Sequence, residues 1–162
     1  MQEIPELWRT ETYHVVTVHL PIVLLIFGSI FYWLGFKTKL SYLHPSGRIL
    51  LYVGVISAWL AVFTGNQADG IVARKICDPT ILKDHQNLAV LLSYLFSGAV
   101  VLDLLQFVHL NQLLHKIRLG LILILMISGS ILLMYASHLG GKLVYLQGAG
   151  VYHPTEDCVE FE

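Results

Sequence analysis

The side chains in this sequence best suited to chemistry are its histidines. Four of the eight stand at the edges of long uncharged runs. His14 and His19 open the first run, His85 opens the third, and His138 closes the fourth. Ionisable residues inside membrane-length runs are costly and usually face the bundle interior. Three separate stretches would then deliver imidazoles to one depth. Neutral imidazole is a good ligand for iron. His14 and His19 lie about 140° apart around a helix and roughly 7.5 Å apart along it. That spacing serves two different neighbours better than one small tetrahedral ion. A haem held between facing helices needs one imidazole on each face of the ring, and His14 or His19 could pair with His85 or His138. The expectation is a haem site at the outer end of a bundle, with one or two b-type haems whose iron is held by His14, His19, His85 and His138. No Cys-x-x-Cys-His stretch occurs, which excludes c-type attachment.

The surroundings can be read two ways. Ala89 and Ser93 follow His85 at four-residue steps and leave room beside it. Gly129 lies between Ser128 and Ser130, and Gly140-Gly141 follows His138. These small residues suit a flat macrocycle, and they equally suit close helix packing. Arg9, Arg74, Lys75 and Lys142 are placed to meet haem propionates. Asp103 is the one acid inside the runs and lies on the same helix face as His85. It reads as an interhelical partner for Lys116, Arg118 or a hydroxyl, or else as a proton relay or quinone contact. His44, His109 and His115 fall in or beside the short links and read as polar loop residues.

The elements that must position these side chains are four hydrophobic runs. The chain is 56% hydrophobic and 13% charged, about half the usual charged share, with mean hydropathy +0.67. That composition indicates a membrane protein of one domain, residues 1–162. Net charge −1 leaves no basic footprint for nucleic acid. From Thr12 to Phe36 there is no Asp, Glu, Lys or Arg. That run covers roughly 37 Å as a helix, enough for a hydrocarbon core of about 30 Å. The later runs are Ile49–Ala68, His85–Leu110 and Leu119–Gly141. They predict an all-α four-helix bundle with helices over 12–36, 49–67, 85–108 and 117–139. A loop over 68–84 and a tail over 140–162 complete it. Pro21 predicts a kink and His44-Pro45-Ser46-Gly47 a turn. Met1 to Glu11 is polar and lacks a signal peptide's basic head, so the first run is expected to stay.

Four spans put both termini on one side. Lys and Arg tie between the sides, but the short links hold theirs close to helix ends, and every acid except Asp103 lies opposite. The links are therefore assigned to the cytoplasm and the termini to the periplasm. Cys77 and Cys158 then share the outer side and could form a disulfide there.

His14-Val15-Val16-Thr17-Val18-His19-Leu20-Pro21-Ile22 resembles the H-P-x-x-V-H-F-P-I opening of a bacterial four-helix membrane protein family catalogued as domain of unknown function 2231. The likeness continues at Thr64-Gly65 and at His85-x-Asn87-Leu88-Ala89. It continues again from Gly140 to Val151, which is similar to the family's G-G-x-L-V-Y-x-x-G-x-G-V signature. The resemblance implies a bacterial inner-membrane bundle whose relatives occur fused to, or beside, cytochrome c-like domains or periplasmic oxidoreductases. It implies b-type haem on His14, His19 and His85. His138 falls where many relatives carry Trp, Val15 replaces a Pro, and Lys142 stands where an acid is common.

The sequence reading is thus a b-type cytochrome-like subunit without substrate chemistry of its own. It would carry electrons between a periplasmic cytochrome c-like or dehydrogenase partner and the quinone pool, within a larger membrane oxidoreductase complex. Two rivals stand beside it. One is a haem-free structural or anchoring subunit with hydrogen-bonded histidines. The other is a metal-binding protein using His14, His19 and His85 with Asp or Cys ligands, although scarce Met and no intramembrane Cys weigh against copper.

Overall fold

The computed structural model describes residues 8–108 and 111–151. The described chain is all α-helical: α1 (Thr10–Thr17), α2 (His19–Lys37), α3 (Leu43–Val72), α4 (Pro79–Leu104) with a 3-10 turn at Leu105–Phe107, and α5 (Gln112–Gln147). α1 and α2 together form one span, Thr10–Lys37, and the others are Leu43–Val72, Pro79–Phe107 and Gln112–Gln147. All four are long and apolar enough to cross a membrane. The outward surface is apolar, with Phe27, Ile30, Ile56, Ile124 and Ile131 exposed, while Ser57, Ser93, Asp103 and Arg118 are buried. That inside-out distribution suits lipid as the solvent.

The helices run further than the uncharged stretches. α3 begins at Leu43, not Ile49, because Pro45 sits in its first turn, where no N–H is needed. The expected turn at His44-Pro45-Ser46-Gly47 is therefore helix. Gly47 lies so close to the backbone of Tyr32 that a Cβ would collide. The expected loop over 68–84 shrinks to residues 73–78, since α3 continues to Val72 and α4 starts at Pro79. Asp78 fixes that start: its carboxylate accepts from the Thr80 N–H at 2.9 Å and the Thr80 hydroxyl at 2.6 Å. α5 continues through Gly140-Gly141 to Gln147, so the first part of the expected tail is helical. Gly148 then closes α5 in the left-handed region, φ 66°, with the Ala149 N–H donating to Leu143 O and the Gly148 N–H to Val144 O.

Pro21 interrupts the first span. It cannot donate to Thr17 O, and the helix breaks between Thr17 and His19. Side chains occupy carbonyls nearby: the Thr17 hydroxyl donates to Tyr13 O (2.6 Å), and His19 Nδ1 bonds Val15 O (2.8 Å).

Two hairpins make up the bundle. α1 and α2 pack closely on α3, and α4 packs closely on α5, while contact between the hairpins is thinner. Leu25, Leu51, Phe96, Ile122 and Met126 form the shared core. The two ends of the described chain meet, because the Arg9 guanidinium donates to Gly150 O at 3.3 Å. We refer to this as the terminal end and to the other as the link end. Buried Glu11 holds the terminal end together, 3.7 Å from Lys75 and 4.0 Å from Arg9. Gln147 bonds both backbone groups of Asp78 (2.8 and 3.3 Å) and ties the 73–78 link to the end of α5. Cys77 is exposed in that link, and the expected disulfide falls outside the described residues because Cys158 does.

Candidate functional site

At the terminal end the two hairpins part around a cavity of about 340 Å³. His14 of α1 and His85 of α4 face each other across it, ring centroids 6.3 Å apart and planes at 81°. Each ring is seated on the second helix of its own hairpin. His14 Nδ1 lies 3.3 Å from the Thr64 hydroxyl, and its ring rests on Gly65, where a Cβ would come within 2.9 Å of Cε1. His85 Nδ1 donates to Ala136 O at 2.9 Å, and its ring rests on Gly140, where a Cβ would come within 3.3 Å of Cε1. With both Nδ1 atoms engaged, the Nε2 atoms remain for a ligand. The walls are mostly apolar, with Val18, Ile22, Ala58, Ala61, Ala89 and Leu133 among them, and Glu11, Asn66, Asp69 and Gln86 also line the cavity.

The other two expected ligands are elsewhere. His19 is exposed past the kink, its Nδ1 bonded to Val15 O, and it does not line the cavity. His138 is exposed on α5 and stacks on Tyr135, centroids 6.5 Å apart. The four histidines expected to converge therefore divide into a facing pair and two outward residues. α5 passes the cavity with Ala136 and Gly140 inward, and His138 lies on its far face. Among the described residues no three His, Cys, Asp or Glu side chains are grouped to hold a metal ion. Of the expected propionate partners, Arg9 and Lys75 gather at Glu11, and Arg74 Nε donates to Gly70 O at 2.7 Å. Ala89 and Ser93 both line the cavity. Gly129 instead receives the Phe96 ring, a packing role.

Asp103 anchors a second polar cluster, at the link end. Its Oδ1 accepts from the Tyr32 hydroxyl (2.8 Å), and its Oδ2 accepts from Arg48 Nε (2.7 Å) and the Tyr52 hydroxyl (2.6 Å). Arg48 also donates to Tyr52 (3.1 Å), and Arg118 reaches Asp103 O (3.4 Å). The expected hydroxyl partners meet the carboxylate, while the expected Arg118 reaches only the Asp103 backbone carbonyl. Arg48 was not expected, although it immediately precedes the second uncharged run, at the link end where Asp103 lies inside the third. The carboxylate has a donor on every side, which makes the cluster an interhelical pin at low dielectric. His44 packs between Tyr32 and Phe36, centroids 4.5 Å from each, so it belongs to α3 packing and not to a loop.

No curated protein and no solved structure matches this chain. The motifs at His14, Gly65, His85 and Gly140 are the ones that build the cavity, and they lie within the match to a family model. That model, described as predicted membrane protein (DUF2231), covers residues 10–153, and this four-span chain belongs to that family.

Proposed function

We propose that this protein is a b-type cytochrome-like membrane subunit that binds haem between His14 and His85. It carries electrons between a periplasmic redox partner and the quinone pool, as part of a larger oxidoreductase complex in a bacterial inner membrane, with both termini periplasmic. The observation that carries the reading is the facing pair of imidazoles across a cavity. Two imidazoles ligating one ion from opposite sides stand about 6 Å apart, centre to centre, for metal–nitrogen bonds of about 2 Å. The observed separation is 6.3 Å. The cavity, about 340 Å³, lies within the roughly 300–1,000 Å³ of small-molecule sites.

Haem, when bound, supplies a one-electron couple. The chain's own residues do the rest. Thr64 and Ala136 hold the two rings by Nδ1 and fix which nitrogen faces the cavity. The largely apolar walls would lower the local dielectric and so tune the potential. Arg9 and Lys75 pair with Glu11, which lines the cavity, and are cations at the terminal end that would take up propionate charge.

A second reading has its own support. Both imidazoles already bond the neighbouring helix, which is what a haem-free structural subunit would use them for. A dithionite-reduced minus oxidised spectrum, with pyridine haemochrome quantification, separates the two. Protein made with haem in excess is expected to show a sharp b-type α-band. A flat spectrum would overturn the haem reading and leave the structural subunit.

A further inference from the structure

The two hairpins carry one internal register. Leu25 fills the notch at Gly54, and Phe96 fills the notch at Gly129. His14 rests on Gly65, and His85 rests on Gly140. In the first span of each hairpin, His14 and His85, Leu25 and Phe96, and Tyr32 and Asp103 are all 71 residues apart. Pro21 and Gly28 match Leu92 and Ala99 at the same interval, and all four are buried. In the second helices, Gly54 and Gly129, Ala61 and Ala136, and Gly65 and Gly140 share one interval that is a helical turn longer. This is the pattern of a parallel repeat, two units related by a pseudo-twofold axis along the bundle.

A residue can touch its own equivalent only across that axis. Two pairs do so: His14 with His85 near the terminal end, and Tyr32 with Asp103 at the link end. Helical rise places them roughly 27 Å apart, so the axis runs the length of the molecule. His19 and His138 correspond to Val90 and Phe63, and they have no imidazole equivalent.

We infer that the cavity is a single site centred on this axis, taking one haem per chain with His14 and His85 as equivalent axial donors on opposite faces. The inference rests on the haem reading above and narrows it. With both axial positions filled by His14 and His85, a bound haem would be six-coordinate, low-spin and closed to added ligands. The site is then a pure electron carrier and does not bind or activate a gas.

The test is haem titration of the purified full-length protein, followed by absorption and resonance Raman spectra with and without carbon monoxide. The wild type is expected to saturate at one haem, low-spin, with no carbon monoxide adduct. His14→Ala and His85→Ala should each give a five-coordinate, high-spin haem that binds carbon monoxide, and added imidazole should restore the low-spin spectrum of both. That rescue separates a lost ligand from a misfolded variant. His19→Ala and His138→Ala should keep the wild-type spectrum. A second haem or a wild-type carbon monoxide adduct overturns this inference and leaves the proposed haem between His14 and His85 standing, whereas a low-spin spectrum surviving in either His14→Ala or His85→Ala overturns both the inference and that placement. Failure of the wild type to take up any haem overturns both.

Discussion

The glycines beneath the two histidines differ in how tightly they are used. A Cβ at residue 65 would stand 2.9 Å from His14 Cε1, whereas one at residue 140 would stand 3.3 Å from His85 Cε1. Gly65→Ala therefore has to displace its ring, at an overpacking cost of about 1–3 kcal/mol, against a helix-propensity gain of about 1 kcal/mol. Gly140→Ala needs a shift of a few tenths of an ångström and should be near neutral. Haem titration of the two variants checks this: Gly65→Ala should bind several-fold more weakly than Gly140→Ala, and equal affinities would contradict the ring seating. Asp103 allows a second prediction. Asp103→Leu strands Arg48 inside the bundle and should cost about 3 kcal/mol, the low end for a broken buried pair because Arg48 reaches the bundle edge. Adding Arg48→Met should recover most of that loss in a detergent-unfolding titration. A double variant no more stable than Asp103→Leu alone would show that the hydroxyls of Tyr32 and Tyr52 carry the pin.

Single helix features decide where these side chains end up. The helix breaks at Thr17–His19, and α1 carries His14 to Gly65 and the cavity. Pro21→Ala restores the missing N–H to Thr17 O, so the two segments can join into one straight helix. The expected result is weakened haem binding with helix content unchanged by circular dichroism, and unaltered affinity would mean that the kink does not aim His14. Asp78 controls the start of α4, outside the spans. The Thr80 hydroxyl and then the Thr80 N–H hold its carboxyl below the usual range. A depressed carboxylate pKa stabilises the fold fully above the unfolded value, about 4, and the contribution disappears as pH falls through the lower folded value. Amide protection at Thr80 should therefore persist down to about pH 4 and fall only below it. Asp78→Ala should lose that protection already at neutral pH, while Asp78→Asn should keep it, since Asn caps nearly as well.

The molecule as a whole is two like hairpins joined at their core and parted at one end. Both ends of the described chain, the 73–78 link and the cavity lie at that end, which is where a partner would dock if the proposed electron-carrier function holds. Cys77 reports which side of the membrane it faces. In a Cys158→Ala background, a membrane-impermeant maleimide should label Cys77 in intact spheroplasts if the termini are periplasmic. Labelling only after lysis would place the site on the cytoplasmic side and require a cytoplasmic partner.

How much of this was legible follows from which quantities are local. Span number, their all-helical character and the common side of the termini depend on runs of apolar residues, each readable without its neighbours. The sequence by itself therefore determined a four-span bundle with His14 and His85 at one end. It also put His19 and His138 at that end, because depth along a helix follows from counting residues. Facing does not. Rotation about each helix axis is set by which notch receives which side chain, and the notches at Gly54, Gly65, Gly129 and Gly140 are filled from other helices. Only the packed structure turned Ala136 and Gly140 inward and His138 outward, and only it brought Arg48 to Asp103. The repeat was hidden for a related reason. Identity recurs at His14 and His85, Gly54 and Gly129, Ala61 and Ala136, and Gly65 and Gly140, but at two different intervals; Leu25 and Phe96, or Tyr32 and Asp103, share burial and not identity, and burial is a property of the assembled bundle.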